Sequence, residues 1–273
     1  MTTESSAPRP ASTVCAVRQN GDRLEVLMVK RGPTAKFMAN AWVFPGGVLD
    51  PEDSLAEAVA LTGVDDALAP WVSAAARELC EETGIWVTTE GAWVASGFAR
   101  ALRNATVNEH LAASGRRWAG ASFSWFTTWV TPTIVPMRFE ARFFAVELPL
   151  GIDPDPDPEE IADAEWIHPR DAVKRAESGE WAVPFPTART LETISRYESV
   201  SAWLGHIESL DQVDVIQPRM RILEDDSFEV LLPGDDGFDA VGDLSANPQA
   251  LSRAASVALK SGDGSMVEVS NAS

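Results

Sequence analysis

The most constraining feature of the sequence is a group of three glutamates, Glu78, Glu81 and Glu82, near the end of a predicted helix. The helix is predicted over residues 71–83, and Gly84 follows it in the position that commonly ends a helix. Each helical residue turns the chain by about 100°, so side chains at positions i, i+3 and i+4 share one face. The three carboxylates are therefore expected to lie side by side.

Three neighbouring carboxylates make this helix face locally unfavourable. Like charges at this spacing repel each other, and anions also interact unfavourably with the C-terminal end of the helix dipole. A bound divalent cation would remove both costs, and Mg²⁺ prefers carboxylates together with water and phosphate oxygens. A solvated acidic face is the alternative for a bare pattern of this kind. Arg77 beside the carboxylates, the helix-ending Gly84 and the upstream Phe44-Pro45-Gly46-Gly47 favour a functional site instead.

Residues 77–85 read Arg-Glu-Leu-Cys-Glu-Glu-Thr-Gly-Ile and match the second half of the sequence box of the Nudix hydrolases. The chain therefore resembles that family. In the first half, Gly47 is followed after five residues by Asp53, where the family has Glu.

The spacing within the box departs from the family pattern. Between Asp53 and Arg77 lie 77 − 53 − 1 = 23 residues against seven in the usual box, which implies an insertion of 23 − 7 = 16 residues. A box that begins at Gly63 has the usual spacing but places Ala69 at the Glu position. We prefer the box that begins at Gly47, because Phe-Pro-Gly-Gly usually leads into it.

An insertion inside the box is a feature of the coenzyme A diphosphatase-like branch, which is related to the mammalian peroxisomal enzyme. Residues 37–38, 43–50, 129–132, 136–139 and 142–144 are also similar to that branch. The coenzyme A signature upstream of the box is matched in part. Its first basic position is Arg31, but Lys36 stands in place of a second Arg, and Asn40 in place of a Gly.

The resemblance implies a set of site residues. Mg²⁺ or Mn²⁺ would be held by Glu78, Glu81 and Glu82, and the implied catalytic residues are Arg77, Glu78 and Glu82. The residues predicted to contact substrate are Arg31, Gly46, Gly47, Arg138 and Arg142. A further carboxylate is often supplied from outside the box, with Glu140, Glu159 and Glu160 as candidates. Trp86, Trp129 and Trp166 are predicted to pack in the core rather than to stack on a base.

The fold class follows from the pattern of strands and helices. Two apolar runs, Thr13–Val17 and Leu24–Val29, flank Asn20-Gly21, a strong signal for a hairpin. Later strands alternate with helices, which favours an α/β (α+β) protein with a mixed β-sheet. The family resemblance narrows this expectation to a Nudix-type α/β/α sandwich.

The predicted organisation has four parts. Residues 1–11 form a disordered N-terminus, and residues 12–205 form the Nudix hydrolase domain, with its insertion at about 54–69. Residues 206–242 form a C-terminal extension, and residues 243–273 a disordered tail. Within these parts we expect one helix over residues 187–204 and a late hairpin over residues 220–232.

Charge and hydropathy limit the partners. The formal net charge is −19, so binding of nucleic acid through a basic surface is not expected. No apolar stretch is long enough to cross a membrane and the N-terminus has no apolar segment, so we predict a cytoplasmic protein. The expected partner is a small nucleotide-like molecule. The insertion would shape substrate access or form a homodimer contact, and the sequence does not choose between them.

The sequence thus predicts a metal-dependent hydrolase that cleaves the diphosphate bond of a nucleoside diphosphate derivative. Coenzyme A or an acyl-coenzyme A is the favoured substrate. Two alternatives stay open: an ADP-ribose-type or housecleaning Nudix pyrophosphatase, and a catalytically inactive, nucleotide-binding regulator of Nudix type.

Overall fold

The computed structural model describes residues 7–35, 38–65, 67–95, 106–133, 137–156, 158–222, 228–241, 257–261 and 266–269. The strands are β1 (Arg9–Asn20), β2 (Arg23–Arg31), β3 (Trp42–Val43), β4 (Gly46–Val48), β5 (Ile85–Thr88), β6 (Gly91–Val94), β7 (Ser124–Val130), β8 (Phe139–Glu147), β9 (Ile161–Ile167), β10 (Asp214–Ile216), β11 (Arg219–Ile222), β12 (Phe228–Leu231), β13 (Val257–Ser261) and β14 (Met266–Val269). The helices are α1 (Ala56–Thr62), α2 (Ala69–Thr83), α3 (Val107–Ala113), α4 (Pro169–Glu177), α5 (Phe185–Ile194) and α6 (Val200–Glu208), with short 3-10 helices at Pro51–Ser54 and Gly120–Ser122.

One mixed sheet organises the described residues. Its eight strands include the path β10-β7-β8-β1-β2-β3, with β4 paired to β1 and β9 paired to β2. The β1–β8 and β7–β10 pairs are parallel, and the others are antiparallel. This arrangement confirms the predicted mixed α/β fold.

The sheet opens into a fork between β1 and β2. The two strands pair through Val17–Asn20, next to their tight turn. Farther from the turn, β1 pairs with β4 through Ala11–Thr13, while Val29 and Lys30 of β2 pair with β3. The chain therefore crosses from one arm of the fork to the other between β3 and β4, and this crossing places Gly46 and Gly47 at the opening.

Apolar layers cover both faces of the sheet. Along β1, Cys15 and Val17 face the layer that contains residues of α4, α5 and α6. The alternate residues Val14 and Ala16 face the layer that contains α2, α3, β5 and β6. This alternation with period two is what a strand buried on both faces requires. Cys15 and Cys80 lie in opposite layers as free thiols.

The glutamate-bearing helix α2 is placed by its apolar face. Val72, Ala75, Ala76 and Leu79 are almost fully buried and pack in the α2 layer. Gly84 then ends the helix in a left-handed conformation, with φ of 71°, and its N–H donates to the Cys80 carbonyl. The predicted helix and its predicted end are confirmed.

The structure corrects several predicted boundaries. β1 begins at Arg9, inside the segment 1–11 that was predicted to be disordered, because residues from Arg9 onward pair with β8. The helix predicted over residues 187–204 is two helices, since Ser199 starts a new one by accepting a hydrogen bond from Ala202 N over 3.2 Å.

The C-terminal predictions had mixed outcomes. β11 and β12 form the antiparallel pair expected over residues 220–232. Strands β13 and β14 lie within residues 243–273, so the prediction of disorder is wrong for these nine residues. Among all described residues, no helix is long and apolar enough to span a membrane.

Candidate functional site

The C-terminal half of α2 faces the glycine-rich opening of the fork. The N–H of Gly46 donates to Glu82 Oε2 over 3.0 Å. A Cβ atom on Gly47 would lie 2.3 Å from Glu78 Oε1, so a side chain larger than hydrogen would displace that carboxylate. On Gly46, a Cβ atom would lie 2.4 Å from the Ser12 carbonyl oxygen. Both glycines are therefore required by close approach, one to the carboxylates and one to the sheet.

Arg77 is the centre of the site. Its Nη1 donates to Glu78 Oε1 and to Glu81 Oε2, each over 2.8 Å. Its Nε and Nη2 donate to the two oxygens of Asp53 over 3.2 and 2.9 Å. Nη2 also donates to the Val48 carbonyl over 3.1 Å. One guanidinium thus joins the two halves of the box across 23 intervening residues (77 − 53 − 1).

Asp53 is fully buried, although it is one carbon shorter than the Glu of the family pattern. Its carboxylate accepts from Arg77, from the Ser73 hydroxyl over 3.0 Å and from Asp50 N over 2.9 Å. These donors compensate the buried charge. The short 3-10 helix at Pro51–Ser54 presents Asp53 to α2, and Ser73 was not predicted as part of the site because nothing local in the sequence marks it.

The three glutamates differ in burial and in their partners. Burial raises the pKa of Glu82, and the nearby charge of Glu78 raises it further, while the Gly46 N–H and Arg31 act in the opposite direction. Burial also raises the pKa of Glu78 and of Glu81, against the opposing effect of Arg77. The fold therefore holds more negative charge than the local cations neutralise.

This donor set fits a hard divalent cation. Carboxylate oxygens are the ligands that Mg²⁺ and Mn²⁺ prefer. Burial is the main cause of the raised pKa of each glutamate, and a bound cation would favour the charged forms that burial disfavours. Within the described residues, no three His, Cys, Asp or Glu side chains already converge on one point as a metal cage. Glu78 and Glu81 each give one carboxylate oxygen to Arg77 Nη1, so the other oxygen of each would be the ligand of a cation.

Two residues predicted from outside the helix face the same carboxylates. The positive charge of Arg31 lowers the pKa of Glu82, and the negative charge of Glu160 raises the pKa of both Glu81 and Glu82. The backbone brings them there, because Gly32 N donates to the Glu160 carbonyl over 2.8 Å. Of the three candidate carboxylates, Glu160 is therefore the one whose charge raises the pKa of box glutamates.

Arg138 and Arg142 make contacts within the protein. Arg138 is buried, and its Nε donates to the Thr131 carbonyl over 3.1 Å. The Arg142 guanidinium lies between the rings of Trp71 and Trp125, 3.9 and 4.5 Å from their centroids. Burial lowers the pKa of Arg142, and Glu140 is the carboxylate that opposes this shift. Both arginines therefore contact groups of the protein itself.

The three tryptophans pack as predicted. Trp86 stacks on Trp118, and Trp129 lies edge-on to Phe185. Trp166 is half-buried and carries Arg18 over its ring at 4.4 Å. All three therefore have protein groups against their rings.

The upstream signature shows one compensated departure. Asn40 stands where the coenzyme A signature has Gly, and its backbone is left-handed with φ of 62°. Asn tolerates this conformation better than other residues with a side chain. The local backbone that Gly would permit is therefore kept, while Lys36 lies outside the described residues.

The fold and site together define an α/β/α protein in which a carboxylate-bearing helix end meets a glycine-rich strand fork. No family model matches the chain. A Caenorhabditis elegans protein, provisionally named nudix hydrolase 7, is 34% identical over 183 residues, which are 63% of this chain and 56% of the nematode protein. The chain thus spans little more than half of that relative.

Two solved structures were compared with the chain, and one of them shares its fold. A crystal structure of a NUDIX hydrolase from Alicyclobacillus acidocaldarius superposes with a TM-score of 0.62 at 24% identity, over 76% of this chain and 98% of that chain. A Caenorhabditis elegans Ap4A hydrolase complex has a TM-score of 0.40 at 16% identity, over 72% and 98% of the two chains. The first of these shows that the chain shares the fold of the Alicyclobacillus protein.

Proposed function

We propose that this chain is a Nudix-type hydrolase that uses Mg²⁺ or Mn²⁺ to cleave the diphosphate bond of a nucleoside diphosphate derivative. One observation carries the proposal. Arg77 clamps Asp53 together with Glu78 and Glu81, directly beside a glycine pair that leaves no room for a side chain. The resemblance of the box and the nematode relative support the same conclusion.

Glu78, Glu81 and Glu82 would hold the cation. When bound, it supplies charge neutralisation for the diphosphate and lowers the pKa of an attacking water. The residues of the chain contribute position. Arg77 restrains Glu78 and Glu81, and the Gly46 N–H orients Glu82, whose raised pKa suits a group that accepts a proton.

The opening of the fork supplies room for the phosphates. Gly46 and Gly47 expose backbone there, and the absence of side chains permits close approach of an anion. Arg31, whose charge reaches Glu82, is the cation best placed to meet a phosphate oxygen. The site already contains four carboxylates, those of Asp53 and the three box glutamates. Glu160 is the candidate for a fifth near the reacting atoms.

Coenzyme A or an acyl-coenzyme A is the proposed substrate within this class. The support is the resemblance of the segments around the box, the insertion inside it, Arg31 at the first basic position, and the left-handed Asn40 at the position of a Gly. The substrate contacts proposed for Arg138 and Arg142 would require these side chains to leave the protein contacts described above.

A substrate panel with mass analysis of the products tests the proposal. With Mg²⁺ or Mn²⁺ present, coenzyme A should yield 3′,5′-ADP and a phosphopantetheine. Glu81→Gln and Glu82→Gln should abolish turnover, and Glu57→Gln on the exposed face of α1 is the matched control. Turnover of ADP-ribose but not coenzyme A would move the chain to the ADP-ribose type. Nucleotide binding without any product would identify a regulator.

A further inference from the structure

A series of buried hydrogen bonds connects α3 with the carboxylate site. Trp118 Nε1 donates to Asn108 Oδ1 over 3.0 Å, and Asn108 Nδ2 donates to Ser73 Oγ over 3.2 Å. Ser73 Oγ in turn donates to Asp53 Oδ1 over 3.0 Å. None of these four side chains belongs to a residue more than 8% exposed. We call this series the α3 relay.

The direction of each bond in the α3 relay is determined by its two ends. An indole N–H can only donate, and an ionised carboxylate can only accept. The Asn108 amide must therefore turn its oxygen to Trp118 and its NH₂ group to Ser73. The Ser73 hydroxyl, which accepts from Asn108, then has its proton free for Asp53. Bonds that are aligned in this way polarise and strengthen one another in a buried environment.

The α3 relay ends on the carboxylate that orients Arg77. One oxygen of Asp53 accepts a hydrogen bond from the Ser73 hydroxyl, and both oxygens accept from the Arg77 guanidinium. The two bonds from Arg77 fix the plane of the guanidinium. Nη1 of Arg77 is left to donate to Glu78 and Glu81 together. A change in the orientation of Asp53 is therefore transmitted, through one rigid planar group, to two of the three box glutamates.

We propose that Asn108 and Ser73 are positioning residues for the cation site. Through them, α3 holds Asp53 and Arg77 in the geometry from which Glu78 and Glu81 receive a divalent cation. The inference rests on the proposed function for the nature of that cation. It concerns two side chains outside the box pattern, one of which lies on a different helix.

The experiment measures Mn²⁺ binding to the full chain by isothermal titration calorimetry, together with kcat and KM. Asn108→Leu keeps the approximate size and removes both hydrogen bonds. Outer-shell changes typically weaken metal binding by about 10- to 100-fold. We expect the Kd for Mn²⁺ to rise by about 10-fold and kcat to fall comparably, with KM for the diphosphate substrate changed by less than about twofold.

Ser73→Ala interrupts the same series at its middle. It should weaken Mn²⁺ binding by a similar factor, about 10-fold. The double variant Ser73→Ala/Asn108→Leu should be no weaker than the single variants, because all of them interrupt one path and their effects are not additive. Multiplication of the two single effects would show that the residues act separately and would contradict the relay.

Two tryptophans offer a matched control. Trp118 and Trp203 are each 1% exposed, and the indole N–H of Trp203 has no hydrogen-bond partner among the described residues. Trp118→Phe removes the first donor of the relay, whereas Trp203→Phe removes an N–H that bonds to none of them. Weaker Mn²⁺ binding is expected for Trp118→Phe, and unchanged binding for Trp203→Phe.

The outcomes separate this inference from the proposed function. Failure of the wild-type chain to bind either Mn²⁺ or Mg²⁺ would overturn the proposed function, and the inference with it. If the wild type binds Mn²⁺, and Asn108→Leu and Ser73→Ala lower only the free energy of unfolding, the relay serves stability alone and the inference is wrong. Should Asn108→Leu fail to fold, Ser73→Ala, which removes a single hydroxyl, gives the same readout.

Discussion

At the scale of single residues, Glu82 carries the charge that the fold stabilises least. Its carboxylate is buried beside Glu78 and accepts a hydrogen bond from the backbone N–H of Gly46. Burial raises its pKa in the folded state, whereas in the unfolded chain it returns to about 4.3. The folded state therefore binds this proton more tightly, and the contribution of Glu82 to stability declines as pH rises from about 4.3 through the raised pKa.

Glu82→Gln tests this sign. In chelator, the variant should be more stable than the wild type at neutral pH by at least about 1 kcal/mol, since one pKa unit corresponds to about 1.4 kcal/mol. The difference should shrink as pH falls toward about 4.3. Urea unfolding at a series of pH values measures it, with the exposed Glu57→Gln as control. A difference that is constant with pH would contradict the buried, unneutralised carboxylate.

The Asp53–Arg77 ion pair stabilises the folded state, whereas the buried charge of Glu82 destabilises it. Both side chains are almost fully buried and each satisfies the other. Asp53→Asn should lower the free energy of unfolding by about 3–5 kcal/mol, because it breaks a fully buried ion pair and replaces an oxygen that accepts from the guanidinium with an NH₂ group that cannot accept. Chemical denaturation would detect this loss.

An exposed pair provides the comparison for Asp53→Asn. The Arg170–Glu198 pair has side chains 50% and 79% exposed. Glu198→Gln should cost no more than about 1 kcal/mol. Equal effects of Asp53→Asn and Glu198→Gln would mean that Asp53 is not the compensating charge of Arg77.

Sequence reasoning at this scale was good where residues are neighbours along the chain. Glu78, Glu81 and Glu82 share a face because helix geometry dictates it, and Arg77 lies among them. The contacts of Ser73 and Arg142 could not be foreseen in the same way. They depend on partners brought together by the sheet, and no local pattern marks such a partner.

At the scale of elements, the fork between β1 and β2 determines what the two glycines do. Gly46 lies against the backbone of β1, whereas Gly47 lies against the mobile end of a side chain, that of Glu78. A Cβ atom at position 46 would require the strands to move. One at position 47 would require only Glu78 to move.

This difference predicts different phenotypes for two neighbouring alanine variants. Gly46→Ala should destabilise the fold by about 1–3 kcal/mol through overpacking. Gly47→Ala should change stability less but weaken Mn²⁺ binding by about 10-fold or more, because it displaces a ligand. Thermal unfolding and calorimetric titration measure the two effects.

Gly205 in α6 is the control for these variants. Among the described residues, nothing outside its own stretch of helix lies within 4 Å of its ideal Cβ position. Gly205→Ala should be neutral or stabilising by up to about 1 kcal/mol. If Gly46→Ala lost Mn²⁺ binding and Gly47→Ala kept it, the roles assigned to the two glycines would be wrong.

The elements themselves were mostly predictable. Hairpin, box helix and mixed sheet follow from Asn20-Gly21, the apolar face of α2 and the alternation along β1. The split between α5 and α6 was missed because a serine inside a helical pattern is ambiguous. Only the tertiary packing decides whether Ser199 stays in the helix or caps a new one.

At the scale of the whole molecule, the net charge of −19 opposes the approach of an anionic substrate. A divalent cation at the box glutamates would provide local attraction within that field. Metal binding to the folded state alone should also stabilise the protein, by about 2.7 kcal/mol at a concentration 100 times Kd.

This stabilisation is expected as a rise in melting temperature when Mn²⁺ is added to the chelator-treated protein. NaCl at matched ionic strength controls for screening of the net charge, which would also raise the melting temperature. Glu81→Gln should reduce the specific part of the shift. An equal response to NaCl and Mn²⁺ would show that the cation acts only through screening.

The clamp has a consequence for how such a chain can change over evolutionary time. Arg77 reaches Asp53 through space, and the short 3-10 helix presents Asp53 regardless of how much chain follows it. The number of residues between the two halves of the site is therefore free to change. Their spatial relation is held by three hydrogen bonds from Arg77, two to the Asp53 carboxylate and one to the Val48 carbonyl. Related chains could lengthen or shorten α1 and its loops, and so change substrate specificity, while the Arg77 hydrogen bonds stay in place.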